Sequence, residues 1–298
     1  MADLGQQYGL TFRQDYFADR VAWTGLVDLL RDTFSIDIGL QDQFGGPDPT
    51  SMPFGYFDAD GRCVANFSAF SMPLIINGRV IKAAGYQSGA VRPEWRERGL
   101  YRDLVQRAFA RTKAEGFELD ILLTDKPALY ERYGFRAFLQ HVFVVQKPKL
   151  GKSVPAGRPL SLQAPGDLNL LKTILLDRRP VSDRFAVVRQ IEMFHLNACF
   201  DTAVRLTSIS DSVIVAWTFD GEVFRLLDIA GTVIPSLARI ISALDLEPGR
   251  IEICFPPDRL DCAEMRPELY QGYTSLMMRG DAADSIDGPI MLSPMAEF

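Results

Sequence analysis

The stretch Val91-Arg-Pro-Glu-Trp-Arg-Glu-Arg-Gly-Leu-Tyr-Arg-Asp-Leu104 constrains this chain more than any other. It reads as the end of a strand, a tight turn and a helix. Pro93 closes the strand, and Arg96, Arg98 and Gly99 form the turn. Leu100, Leu104 and Ala108 then recur at helical spacing, with Tyr101, Val105 and Phe109 one step round. The first N–H groups of a helix lack intrahelical partners and lie at the positive end of its dipole. Gly99 lets a ligand approach the backbone with no Cβ in the way, and two arginines add positive charge. These features together suit a pyrophosphate at a helix N-terminus. The turn is not a Walker loop, because no Gly-Lys-Ser/Thr follows it. It is not a dinucleotide fingerprint, because Gly-x-Gly-x-x-Gly is missing. A basic strand-to-helix turn with no ligand is the plain alternative.

The flanking segments have a regular order. Upstream, Asp19 to Phe34 has the period of an amphipathic helix, with Val21, Leu26, Leu29 and Leu30 inward. Residues 54–57, 63–71 and 80–91 read as strands, joined by turns at Asp58-Ala-Asp-Gly61 and Asn77-Gly78. Downstream, Gly116 ends the helix, Phe117 to Thr124 reads as a buried strand, and Lys126-Pro-Ala-Leu-Tyr130-Glu-Arg-Tyr133-Gly134-Phe135 follows. Gln140 to Gln146 then alternates as a last strand.

The turn resembles motif A of the GNAT superfamily of acyl-CoA-dependent N-acetyltransferases. The family pattern Arg/Gln-x-x-Gly-x-Gly/Ala is written here Arg96-Glu97-Arg98-Gly99-Leu100-Tyr101, with Tyr101 at a position that is small in the family. The segment from Lys126 to Phe135 resembles the short Tyr-bearing helix and Tyr/Phe-Gly-Phe that end the acetyl-CoA half. The resemblance implies that acetyl-CoA, as co-substrate, is held by Gly89, Ala90 and Val91 of a splayed strand and by Arg96, Glu97, Arg98, Gly99, Leu100 and Tyr101. A backbone N–H of that strand would serve the thioester oxyanion. Tyr130 takes the place of the family's general acid, a phenol that is neutral at pH 7 and able to donate. Tyr133 is read as structural.

Residues 148–159, rich in Pro, Gly and Lys, read as a linker. The expected organisation is therefore a catalytic domain over 1–147 and a second domain over 160–298. In the second, a hairpin (212–219 and 223–229), a helix from Val233 to Leu244 and a strand from Arg250 to Phe255 repeat the rhythm of the first. Ala230-Gly-Thr-Val-Ile-Pro235 carries no arginine pair. The fold class is α/β, with mixed sheets, as tandem GNAT-like domains of which the second is degenerate and binds no CoA. This tandem resembles the Eis-type acetyltransferases, in which a C-terminal Phe returns to the active site and its carboxylate acts as base. Here the sequence closes on Glu297-Phe298. The resemblance thus makes Phe298 a candidate base and Glu297 a substrate ligand. Phe34, Asp37 and Asp42 are further substrate-binding candidates after the first helix, with Phe44 as a pocket wall. The implied substrate is a cationic small-molecule amine, an aminoglycoside antibiotic above others, which would make the activity one of resistance.

Composition narrows the alternatives. A net charge of −6 argues against a nucleic-acid partner. No run of 18 apolar residues is present, so no membrane span is expected. The first seven residues lack the pattern of a signal peptide, and four scattered cysteines with no CxxC suit a reduced cytoplasmic protein. Two histidines make a metal site an unattractive reading and leave little choice of side-chain base. A protein, peptide or polyamine acetyltransferase and a non-catalytic acyl-CoA sensor remain as rival functions. Homo-oligomerisation stays open.

Overall fold

A computed structural model of the protein describes residues 4–149, 154–262 and 264–298. Residues 150–153 of the expected linker and the first three residues of the chain lie outside the described residues. Two compact units are present. The first comprises residues 1–71, 82–123 and 298, and the second 72–81 and 124–297.

In the first unit a short helix α1 (Leu4–Tyr8) precedes β1 (Thr11–Gln14), α2 (Arg20–Phe34), β2 (Met52–Phe57) and β3 (Cys63–Ser71). The chain leaves for the second unit through the hairpin β4 (Leu74–Ile76) and β5 (Arg79–Ile81). It returns as β6 (Ala83–Val91), α3 (Leu100–Ala114) and β7 (Leu119–Thr124). The sheet runs β1-β2-β3-β6-β7, antiparallel except for the β6–β7 pair. Asp19 starts α2 by accepting from the N–H groups of Val21 and Ala22. One face of α2 buries Trp23, Leu26, Val27, Leu29 and Leu30 with Phe57, Cys63 and Ala90. On the α3 side, Phe67 stacks on Tyr86 at 5.6 Å, and Phe109 meets both rings edge-on. The expected turns form, with Gly61 at φ +79° and Asn77-Gly78 both at positive φ.

The second unit continues with α4 (Pro127–Glu131), β8 (Arg136–Phe138), β9 (His141–Val145), β10 (Arg158–Pro159), α5 (Pro165–Leu176), β11 (Phe185–Val187) and α6 (Glu192–Phe200). Next come β12 (Arg205–Ser210), β13 (Val213–Phe219), β14 (Val223–Gly231), α7 (Leu237–Leu244) and β15 (Arg250–Ile253). The last elements are β16 (Met265–Leu269), β17 (Ser275–Arg279) and α8 (Asp281–Asp284). The main sheet runs β10-β12-β13-β14-β15-β9-β16. Strand β17 pairs with β8, and β11 joins the β4–β5 hairpin. The boundary falls near residue 123 rather than at 148–159. Strand β9 inserts between β15 and β16, and the end of the expected linker pairs with β12 as β10. Helix α7 begins at Leu237 rather than at Val233, because Pro235 interrupts and Ser236 supplies the N-cap to the Arg239 N–H.

The second unit repeats the core of the first. Two antiparallel pairings (β12–β13 and β13–β14) are followed by a parallel one (β14–β15) across a helix, as β2–β3, β3–β6 and β6–β7 are. Both units are mixed α/β structures built round a sheet, consistent with two GNAT-like folds in tandem. In the second, β14 pairs with β15 only from Val223 to Leu226. Beyond that point the chain's own residues 290–296 cover it. The Ser293 hydroxyl donates to the Leu227 carbonyl and to Asp228, each at 3.0 Å, while Met291 and Met295 join the core. Asp228 is fully buried against Arg178 and also accepts from the Ile229 N–H at 2.7 Å. No helix among the described residues is long and apolar enough to cross a membrane.

Removing one partner of a buried ion pair strands the other without compensation. Arg178→Met is therefore expected to cost about 3–5 kcal/mol of stability, read as a lower denaturation midpoint. Arg178→Met/Asp228→Leu should recover much of that loss. A single variant as stable as wild type would contradict a structural role for the pair.

Candidate active site

Strand β6 pairs with β7 from Ala83 to Tyr86 and no further, although it continues beside β3 as far as Val91. From Gln87 to Val91 its β7-side backbone groups therefore have no strand partner among the described residues. Within this stretch Asn66 pairs with Ala90, while Ser68 pairs with Gln87. Phe67 thus faces both Ser88 and Gly89. The extra residue makes a β-bulge, and Ser88 adopts φ +59°. Such a conformation costs a non-glycine residue about 1–3 kcal/mol and persists where neighbouring structure holds it.

After Val91 the chain turns through Pro93–Trp95 into α3. Glu97 and Gly99 are both left-handed, at φ +63° and +81°. Gly99 is the N-cap of α3 and offers no side-chain acceptor to the first N–H groups of the helix. A Cβ there would meet nothing closer than Leu4 at 3.8 Å, so the turn is open. Arg96, Glu97, Arg98 and Gly99 are exposed, whereas Leu100 is buried and anchors the helix start. Arg96 Nε donates to the Val91 carbonyl at 3.2 Å. Arg98 donates to the Glu94 carbonyl at 3.0 Å and lies over the rings of Trp95 and Tyr8. The first turn of α3 is fixed to the sheet by Asp103, which accepts from the Tyr56 hydroxyl at 2.8 Å and from Arg107 at 2.6 Å.

Tyr101 packs edge-on against Phe67 at 5.7 Å. A Cβ placed on Gly89 would lie 2.6 Å from the Tyr101 hydroxyl and 3.2 Å from both Tyr101 Cε2 and Phe67 Cδ2. The absent side chain at position 89 thus accommodates the large one at 101. Gly89, Ala90, Val91 and residues 96–101 therefore fall on one continuous strand–turn–helix of the first unit.

The other candidates lie elsewhere. Phe34 ends α2 and is 47% exposed. Asp37 caps the following 3₁₀ segment through the Gly39 N–H at 2.9 Å and pairs with Arg31 at 3.0 Å, so its charge is already engaged. Asp42 is exposed in that segment, which also contains the half-buried Phe44. Phe298 belongs to the first unit, where its ring meets Phe70 edge-on at 5.1 Å. Phe70 in turn fills the space over Gly85, where a Cβ would fall 2.4 Å from its ring.

Tyr130 lies in the second unit, buried on α4 and edge-on to Phe135. Tyr133 is next to the Gly134 turn, and its carbonyl accepts from Arg279 at 2.8 Å. Glu297 also lies in the second unit and borders a cavity of about 740 Å³ with Asn197, Phe200, Cys254 and Tyr270. The arginines of that cavity are matched by carboxylates, Arg225 by Glu252 and Arg250 by Glu252 and Glu268. The Glu297 carboxylate has no such partner among the described residues, and burial pushes its pKa up to about 7.

Residues 39–138 match the acetyltransferase (GNAT) domain family. That segment is similar to a GNAT acetyltransferase domain. An uncharacterized N-acetyltransferase of Streptomyces griseus is 38% identical over 95 residues, which are 32% of this chain and 22% of that protein. The chain thus spans about a fifth of the length of this curated relative. Two solved structures share the fold over most of the chain. A conserved protein of Enterococcus faecalis V583, described as a probable N-acyltransferase, aligns with TM-score 0.60 and 13% identity over 93% of this chain and 74% of that one. Eis1 from Mycobacterium abscessus aligns with TM-score 0.55 and 16% identity over 91% and 72%. The GNAT match includes the bulged strand, the turn and the Tyr130 segment. The sequence reading missed Asn66 and Ser68, which contact the bulge region from β3. Their signal is two polar residues, two positions apart, in a strand that is otherwise apolar.

Two outcomes follow. Gly89→Ala is expected to cost about 1–3 kcal/mol by overpacking, and Tyr101→Ala in the same chain should relieve much of it. A double-mutant cycle with no coupling would contradict the packing described. For Glu297, the folded protein holds an extra proton between pH 4.5 and about 7, so its contribution to stability falls as pH rises through that window. Glu297→Gln should flatten the dependence, read as denaturant midpoints at pH 5 and pH 8. Parallel pH profiles for the two proteins would contradict the shift.

Proposed function

We propose that the protein is an acyl-CoA-dependent N-acetyltransferase acting on a primary amine of a cationic small molecule, with an aminoglycoside as the specific choice. The observation that carries the first part is the strand that leaves its parallel neighbour after Tyr86 and runs into a basic, uncapped helix start. The turn from Arg96 to Gly99, with the first N–H groups of α3, presents positive charge and open backbone to a pyrophosphate. The unpaired stretch from Gln87 to Val91 presents backbone donors and acceptors to an extended pantetheine arm. Bound acetyl-CoA would supply the activated acetyl thioester. A backbone N–H of this stretch, that of Gly89 first, is the proposed donor to the carbonyl oxygen as it gains negative charge.

The remaining roles rest on the family resemblance. Tyr130 is the proposed acid that returns a proton to the departing thiolate. Phe298 stands where the resemblance puts the acceptor of the ammonium proton, and it is proposed for that role only where its α-carboxyl is free, since an amide linkage there would abolish it. Phe34 is a proposed contact for the substrate, and Asp42 and Glu297 are proposed attractors of ammonium groups. Asp37 is retained in this set only if substrate displaces Arg31. The aminoglycoside choice rests on the sequence resemblance to the Eis type alone.

The test is thiol release from acetyl-CoA against aminoglycosides, polyamines and lysine peptides. Turnover with aminoglycosides alone is the expected result. Turnover with peptides alone would overturn the substrate while keeping the reaction, and binding without any turnover would favour an acyl-CoA sensor. Arg96→Gln/Arg98→Gln should raise KM for acetyl-CoA by about tenfold or more, as loss of charge-assisted contacts does. Tyr130→Phe should lower kcat with little change in that KM. An unchanged KM in the double variant would move the pyrophosphate elsewhere.

A further inference from the structure

Strand β3 is buried almost throughout, yet it carries Asn66 and Ser68 on one face of the sheet, both completely inaccessible to solvent. The Asn66 amide nitrogen donates to the Ser88 carbonyl at 2.8 Å and to Ser68 Oγ at 3.0 Å. Its oxygen accepts from the Tyr16 hydroxyl at 2.6 Å. An Asn side chain has two N–H donors, and here both are used. Tyr16 is itself buried, and burial holds its phenol well above the ordinary value, so it remains a donor. The partners of this amide are thus fixed on three sides.

Ser88 lies at the point where β6 has one residue more than β3. A bulge leaves the extra residue outside the regular ladder, and a buried carbonyl without a partner is costly. Asn66 supplies that partner from a side chain. It thereby satisfies a left-handed serine at the start of the stretch that carries Gly89 and Ala90. The pyrophosphate turn at Arg96–Gly99 receives no bond from this network.

We propose that Asn66 is a positioning residue for the transfer step: by holding the Ser88 carbonyl it fixes the bulge, and with it the direction of the Gly89 N–H. The proposal rests on the acyl-transfer reading given above. It separates two functions within one strand–turn–helix. The turn secures the nucleotide end of the co-substrate, and the Asn66 network aims the Gly89 N–H at its thioester end. Asn66→Leu removes the amide at similar size. Ser68→Ala removes the neighbouring bond and leaves the one to Ser88.

In Asn66→Leu, kcat for acetyl transfer should fall about 100-fold, the size of effect seen when an oxyanion donor is lost. KM for acetyl-CoA should stay within about threefold, the split expected for an interaction made in the transition state. Ser68→Ala, which keeps the bond to Ser88, should lower kcat by about tenfold at most, against about 100-fold for Asn66→Leu, with KM for acetyl-CoA within about threefold. In the ¹H–¹⁵N spectrum, the Gly89 and Ala90 amides of wild type should respond differently to acetyl-CoA and to CoA. In Asn66→Leu that difference should vanish while the Gly99 response persists.

A folded Asn66→Leu protein with near wild-type kcat would overturn the role, as would acetyl-CoA affinity falling in step with kcat. If that variant does not fold, Asn66→Asp places a carboxylate oxygen against the Ser88 carbonyl and is read by the same criteria. Wild-type protein that shows no response to acetyl-CoA would overturn the acyl-transfer reading itself, and the role of Asn66 with it. Wild-type protein that binds and transfers, beside a variant that does both equally well, would overturn only the role of Asn66.

Discussion

Strand β6 keeps four pairs with β7 and then continues without them, and the design of the first unit follows from that interruption. A strand with one open side presents backbone donors and acceptors that something must satisfy. The bulge at Ser88 and Gly89 shifts the alternation of those groups as they approach the turn. The aromatic cluster of Phe67, Tyr86, Tyr101 and Phe109 holds α3 against the sheet on one face. The α2 core and the Tyr16–Asn66 pair brace the other. Asp103 joins the first turn of α3 to Tyr56. The open helix start is thus supported from behind while its solvent side stays basic and uncapped.

The second unit shows what the same strand order does without those features. Its β14–β15 pair also ends after four residues. Past it, Ser293 bonds to Leu227 and Asp228, and methionines from the same segment enter the core. A buried Arg178–Asp228 pair occupies the adjoining interior. The segment that leads into α7 has no arginine, and Ser236 caps that helix. One unit leaves its strand edge and helix start to a ligand in the proposed reading. The other satisfies both from its own chain.

Local chemistry was legible in the sequence where the structure is local. Asp19 marks the start of α2, Gly61 and Asn77-Gly78 mark turns, and the Arg96–Leu104 stretch gives the turn and the start of α3. The strand at 140–146 was legible as a strand, but its partners were not. Alternation reports that one face is buried, not which sheet supplies the neighbours, and β9 pairs with strands more than a hundred residues away. The same limit hid the partner of the β4–β5 hairpin, which is β11. It also hid Asn66, whose meaning depends on Ser88 across a ladder with one extra residue. Asp37 looked available as a loop carboxylate, yet a capping bond and Arg31 already engage it. The large residue at 101 became intelligible only beside Gly89, since no sequence period relates the two.

Hydrogen exchange, followed by mass spectrometry with and without acetyl-CoA, tests most directly whether the open strand and basic turn form a co-substrate site. Slowed exchange is predicted for peptides covering residues 86–102, with no change over 223–240, where the chain fills its own opening. Protection of the second segment, or none of the first at saturating acetyl-CoA, would contradict the assignment of the site to the first unit.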